Sequence, residues 1–241
     1  MRLSEIYTAL DAISPFDLQA SWDNSGLILG DRDQDVSKVV LSIDVDEALV
    51  DTLEEGSLLI THHPLIFSGI KSLDYATYPT SLLMKMASKN IANIAMHTNF
   101  DQTHLNRYVV EKVLSQKIVA QDDYVLYFET DLTLEMMKQK VQKAFGLEQV
   151  RAVVSHNRAI KRVALCTGSG ASMISDVKAD LYLTGDIKYH DAMLAQSLGL
   201  SMIDIGHFES ERFFGEILAP DLKILGLTVI ISSSKNPFTY L

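Results

Sequence analysis

Apolar positions along the chain follow a helical period in some stretches and form short continuous runs in others. Ile6, Tyr7, Leu10 and Ile13 share one helical face behind Ser4, which predicts a helix capped by Ser4 and ending before Pro15. Ser21-Trp-Asp-Asn-Ser-Gly26 is a turn signal, followed by the short apolar run Leu27-Ile-Leu29. Strand-like runs then alternate with helical stretches. Residues 39–43, 58–60 and 91–95 read as strands, and helices are predicted over 46–55, 80–89 and 105–114. Residues 117–154 break the rhythm, with a strand at 124–128, a helix from about 133 to 146 and a strand at 150–154. Alternation resumes with strands at 162–165, 180–183, 202–205 and 227–231, and helices over 171–177, 188–197 and 209–218. Strands alternating with helices of this length predict an α/β fold, its mixed or parallel sheets covered by helices.

Set side by side, the two halves repeat. The first runs Asp44, then Thr61-His62-His63, then His97 with Asp101 four residues on. The second runs Cys166, then Thr184-Gly185-Asp186, then His207 with Glu211 four residues on. Each third strand ends in a histidine followed by a carboxylate at the same spacing. This predicts two related α/β lobes, residues 1–118 and 119–241, with the last strand free to return to the first lobe.

Composition narrows the class. Hydrophobic residues make up 47% of the 241, with only 5 prolines and 12 glycines, so a disordered or low-complexity chain is excluded. No apolar run reaches the ~18–20 residues that a membrane span requires, and the amphipathic start leaves no signal peptide; a soluble cytoplasmic protein is expected. The net charge of −10 lies wholly within residues 1–60, which hold 3 basic and 13 acidic side chains; residues 61–241 hold 18 of each. An acidic surface without clustered Lys or Arg makes nucleic acid an unlikely partner. The single cysteine, Cys166, excludes a disulfide framework and a cysteine-cluster metal site, and reads as a buried small residue.

Chemistry is concentrated at the carboxyl ends of the predicted strands, where ligands bind in open α/β sheets. His62, His63, His97, Asp101, Asp186, His207 and Glu211 all fall there. Zn²⁺, Mn²⁺ and Fe²⁺ take mixed imidazole and carboxylate ligands. So many donors exceed the needs of one tetrahedral ion and favour a dinuclear site, in which two ions share carboxylate bridges and activate water.

Thr61-His-His-Pro64, His97-Thr-Asn-Phe-Asp101, Thr184-Gly-Asp186 and Gly206-His-Phe-Glu-Ser-Glu211, with Asp23-Asn-Ser-Gly26, resemble the Nif-three-like family, often labelled GTP cyclohydrolase 1 type 2. The likeness covers nearly the whole chain. It implies two divalent metal ions per subunit (Zn, Fe or Mn) held between the lobes. By position the ligands are His62, His63, Asp101, His207 and Glu211, with the two acids as bridges. It also implies a homohexameric ring with the sites lining an inner cavity. Two departures stand out. Many members carry an inserted middle domain, and here only the 117–154 piece occupies that place. Phe208 stands where the family often has tyrosine, so any role of that hydroxyl is lost.

The expected activity is metal-dependent hydrolysis of a small molecule, by resemblance a purine nucleotide or a related phosphorylated compound. A non-catalytic metal-binding or metal-delivery protein, or a regulatory interaction protein, would use the same ligands. Catalytic roles fall to His97 beside the metals, to His190 as a proton shuttle, and to Asp186 as a residue that orients a ligand or binds substrate. His104 and His156 read as surface residues. Gly168-Ser-Gly170 reads as a tight turn before an anion nest, and Trp22 as a core-anchoring aromatic before a substrate stacker.

Overall fold

Residues 1–239 are described by the computed structural model, and the chain divides into two units. The first comprises Met1–Phe100 and Phe213–Lys235, the second Asp101–Arg212 and the segment from Asn236. The sequence suggested a division after 118, with the last strand free to return to the first lobe. In the structure the helical stretch from Asp101 groups with the second unit and Phe213–Lys235 with the first.

Among the described residues the strands are β1 (Gly26–Leu29), β2 (Val39–Ser42), β3 (Leu58–Thr61), β4 (Ala92–Ala95), β5 (Ile118–Asp122), β6 (Val125–Leu132), β7 (Ala152–Val153), β8 (Ile160–Leu165), β9 (Leu181–Thr184), β10 (Ser201–Asp204) and β11 (Val229–Ile231). The helices are α1 (Leu3–Ile13), α2 (Glu47–Thr52), α3 (Thr80–Ser88), α4 (Thr98–Phe100), α5 (Asn106–Tyr108), α6 (Leu134–Phe145), α7 (Tyr189–Ser197), α8 (His207–Glu211) and α9 (Phe214–Ile224). None of them is long and apolar enough to cross a membrane.

In the first unit the sheet order is β1-β4-β3-β2-β11, with β1 antiparallel to β4 and the remaining neighbours parallel. Every residue of β2, β3 and β4 is buried, which is why these strands read as continuous apolar runs and not as alternating ones. β11 comes from the far end of the chain to pair with β2. α1 buries Leu3, Ile6 and Leu10. Its N-cap is Arg2, whose N–H donates to the Glu5 carboxylate at 2.8 Å, so Ser4 lies inside the helix and does not cap it. α2 starts on Asp46, whose carboxylate accepts from Leu49 N at 2.7 Å.

In the second unit the order is β5-β6-β8-β9-β10-β7. The parallel trio β8-β9-β10, with β7 antiparallel on β10, repeats the trio β2-β3-β4 with β1 antiparallel on β4. The internal duplication is therefore real at the level of topology. Thr133 caps α6 through its hydroxyl, and Gly146, at φ 73°, closes it in the left-handed conformation.

Three further expectations change, and one strand is added. The helix set at 105–114 belongs to a longer helical run that begins at Thr98 and contains π-helical turns at Asp101–Leu105 and Val109–Val113. β5, half exposed and without strict alternation, was not predicted. The 171–177 helix is a single 3-10 turn at Ala171–Met173. The 209–218 helix is two helices, α8 starting at His207 and α9 at Phe214.

Candidate metal centre

In the first unit, parallel strands end side by side and place their following residues together. His62 follows β3, and its Nδ1 lies 2.9 Å from Met96 O. A carbonyl only accepts, so Nδ1 is the donor, and the bond fixes the ring with Nε2 directed away from Met96. His63 Nδ1 lies 2.8 Å from Asp44 Oδ1, and Asp44 follows the neighbouring strand β2. His97 Nδ1 lies 2.8 Å from Asp23 Oδ1, in the turn before β1. The three rings are mutually close, with centroids 5.0 Å apart for His62–His63, 5.1 Å for His62–His97 and 5.2 Å for His63–His97. One nitrogen from each falls within 4.8 Å of the other two, so this trio could hold a metal ion. The sequence set His97 apart from the ligands, yet its ring is as near to His62 and His63 as they are to one another.

In the second unit, His207 and Glu211 sit one turn apart on α8, and His207 Nε2 lies 3.0 Å from Glu211 Oε2. His207 Nδ1 lies 2.7 Å from Asp186 Oδ2, just after β9. Asp186 adopts φ 54°, a left-handed conformation that an aspartate tolerates at some cost. Glu211 is almost fully buried, and Gly168, at φ 60°, makes room for it: a Cβ there would come within 2.0 Å of Glu211 Oε1. Asp101 is buried at the start of the π-helical turn, and Thr167 Oγ1 lies 3.3 Å from its Oδ1. Asn106 holds Thr167 in place, accepting from its N–H at 2.7 Å and its hydroxyl at 2.9 Å. The Asn106 amide donates to Asp101 O and Tyr124 O. Asp186 thus holds the His207 ring by its Nδ1.

Both units use the same device. An oxygen acceptor fixes Nδ1 of each imidazole and thereby aims Nε2, the arrangement that metal-ligating histidines adopt. Buried carboxylates such as Asp101 and Glu211 are costly without a compensating cation. The donor chemistry of both sets therefore fits divalent metal.

Other residues fall as follows. His190 is exposed on α7, its ring against Tyr189 at 5.4 Å. His156, expected on the surface, is partly buried with Nε2 3.0 Å from Asp180 O. His104 is part-buried, its Nδ1 2.8 Å from Thr103 Oγ1. Gly168 N–H donates to Ser210 Oγ and Gly170 N–H to Thr184 Oγ1, so those two donors serve the turn and not an anion. Cys166 is buried; burial, with the negative charges of Asp101 and Glu211, pushes its thiol well above its usual range. Trp22 is not a core anchor, being 64% exposed. The sequence did not assign Asp23, Thr167 or Asn106 a site role, although Asp23 opens one of the quoted motifs.

Residues 1–237 match the family described as Duf34/NIF3 (NGG1p interacting factor 3). A Campylobacter jejuni protein described as GTP cyclohydrolase 1 type 2 homolog is 51% identical over 240 residues, covering the whole of both chains. A Helicobacter pylori protein described as GTP cyclohydrolase 1 type 2 is 40% identical over 237 residues, 98% of this chain and 97% of its own. Among solved structures, Staphylococcus aureus protein SA1388 matches with a TM-score of 0.87 at 28% identity, over 100% of this chain and 99% of that one. Reduced HcgD from Methanocaldococcus jannaschii matches with a TM-score of 0.83 at 26% identity, over 97% and 98%. With whole-length relatives, the shared fold and a family match from end to end, the chain belongs to the Duf34/NIF3 family.

Proposed function

We propose that the chain is a hydrolase that uses two divalent metal ions, Zn, Fe or Mn, and acts on a purine nucleotide or a related phosphorylated small molecule. The observation that carries this reading is the shared orientation of the imidazoles, with Nδ1 of His62, His63, His97 and His207 each facing an oxygen. The names of the Campylobacter and Helicobacter relatives supply the substrate class. His62, His63, Asp101, His207 and Glu211 are the residues that would hold the ions. Divalent ions held there supply Lewis acidity and activate water near neutral pH.

The chain's own groups do the rest. Asp44 and Asp186 hold the Nδ1 protons of His63 and His207 and keep both rings aimed. His97, steadied by Asp23, offers Nε2 to take or give a proton at the substrate. His190, exposed on its helix, passes protons to solvent. We further propose a cytoplasmic homohexamer as the working form, with no membrane or nucleic-acid partner.

The test is anaerobic purification with elemental analysis, followed by turnover of GTP. About two metal ions per chain and hydrolysis that disappears in Glu211→Gln together with metal are expected. Full metal occupancy in Glu211→Gln overturns the ligand assignment. Metal that exchanges readily without substrate turnover points to a delivery protein. Light scattering reports the oligomer.

A further inference from the structure

Two large aromatic side chains stand in solvent beside the three-histidine cluster of the first unit. Trp22 is 64% exposed and Phe67 49%. Both meet the His97 ring steeply, Trp22 at 5.9 Å and 74°, Phe67 at 5.5 Å and 89°. Phe67 also lies 6.4 Å from the His63 ring. Aromatic surface left in water forgoes favourable burial, so a pair set beside the same imidazole calls for a reason.

The backbone that carries the two rings is held by hydrogen bonds. Ala20 N–H donates to Thr98 Oγ1, Asp23 N–H to Ala20 O, and Ser25 N–H to Gln19 Oε1, so the Trp22 turn is fixed on both sides. The neighbouring Asp23 carboxylate is fully shielded and accepts from His97, Thr98 and Ser25. Asn24 Nδ2 then donates to Ile66 O at 2.6 Å, which ties this turn to the residue preceding Phe67. The two aromatic positions are thereby set relative to one another and to His97.

We propose that Trp22 and Phe67 form a stacking subsite for the purine ring of the ligand, with Asn24 as the positioning residue. An indole and a phenyl ring offer flat faces for a bicyclic base, and stacking needs no base-specific hydrogen bonds. The subsite lies against His97 and so would bring the bound heterocycle to the imidazole cluster. The choice of a purine rests on the hydrolase reading; the stacking itself does not require turnover.

Trp22 is the single tryptophan of the chain, so its emission reports on the subsite alone. The probes are guanosine, GTP and ribose 5-triphosphate, titrated against the metal-containing protein by fluorescence and calorimetry. Guanosine and GTP are expected to quench Trp22 saturably, whereas ribose 5-triphosphate leaves it unchanged. Trp22→Ala and Phe67→Ala are each expected to weaken guanosine binding about 10-fold or more, with metal content unaltered. Trp22→Phe and Phe67→Tyr restore binding, and Asn24→Ala weakens it with both rings still present. No base-dependent quenching in the unaltered protein, or undiminished guanosine binding in both alanine variants, overturns the proposal. Base binding with this pattern but no hydrolysis of GTP sinks only the hydrolase reading; hydrolysis with undiminished binding in the variants sinks only the stacking.

Discussion

Asp23 Oδ1 lies 2.8 Å from His97 Nδ1, and the Asp23 side chain is wholly shielded from solvent. Burial alone pushes its carboxyl upward. The hydrogen bond and charge of His97, with further bonds from Thr98 and the Asn24 N–H, outweigh that and hold it well below the usual carboxylate range. The carboxylate thus joins the turn before β1 to the helical start after β4, and it fixes which nitrogen His97 presents.

Replacing Asp23 with Asn keeps the shape and removes the charge, while adding an amide donor among groups that already donate. Asp23→Asn is expected to destabilise the protein by about 2–3 kcal/mol and to lower metal-dependent turnover at least ~10-fold. Urea denaturation and GTP hydrolysis check the two parts. An unchanged midpoint means that the hydrogen bonds to Asp23 contribute little to stability.

Asp44 and Asp186 test the same principle in the two units separately. Each holds Nδ1 of a histidine, at 2.8 Å for His63 and 2.7 Å for His207. Asp44→Asn and Asp186→Asn are expected to weaken metal binding about 10-fold or more, read by competition with a chromophoric chelator. Asparagine also accepts the φ of 54° at position 186, so backbone strain does not confound that variant. Equal affinity to the unaltered protein removes the orienting role from these carboxylates.

The strands that the sequence announced most clearly are those buried on both faces. β2, β3, β9 and β10 are buried at every position, so their apolar runs stand out against polar flanks. For the same reason polar residues just beyond them, such as His62, His63 and Asp186, are conspicuous. What was not legible depends on partners distant in the chain. β5 is an edge strand recognisable chiefly by its pairing with β6. Asp23 acquires its role from a residue 74 positions away. The sequence left the last strand free to return to the first lobe, but its partner, β2, and the grouping of α9 with it are set by a pairing that no local pattern encodes. Trp22 misled because a lone aromatic residue does not say which way it faces.

Gly168 and Glu211 make a steric prediction. A methyl group at Gly168 would meet Glu211 Oε1 at 2.0 Å and lie 3.5 Å from His207 Nε2, on a backbone at φ 60° that disfavours a side chain. Gly168→Ala is expected to displace the Glu211 carboxylate and lower bound metal by at least half, with a stability loss of about 1–2 kcal/mol from the left-handed conformation. Elemental analysis and thermal denaturation separate the two effects. Full metal content in a folded Gly168→Ala protein means that Glu211 is not a required ligand.

Asp180 gives a pH dependence away from the proposed metal ligands. Burial raises its carboxyl, but the N–H groups of Arg162 and Lys161 and the Arg158 guanidinium outweigh that, and the net effect lowers it. Its Oδ2 accepts from Lys161 N at 2.9 Å and Arg162 N at 3.0 Å, pinning the first residues of β8 beside the start of β9. A carboxyl held lower in the folded state than in the unfolded one stabilises fully above the unfolded value, about 4. That contribution is lost as pH falls through the lower, folded value. Asp180→Asn should therefore be less stable than the unaltered protein at pH 7, by about 1–2 kcal/mol, and less sensitive to acid. Urea midpoints measured from pH 7 to pH 3 with chelator present, so that metal loss does not intrude, should converge at the acid end. Parallel curves would mean that the Asp180 carboxylate gains nothing from these three donors on folding.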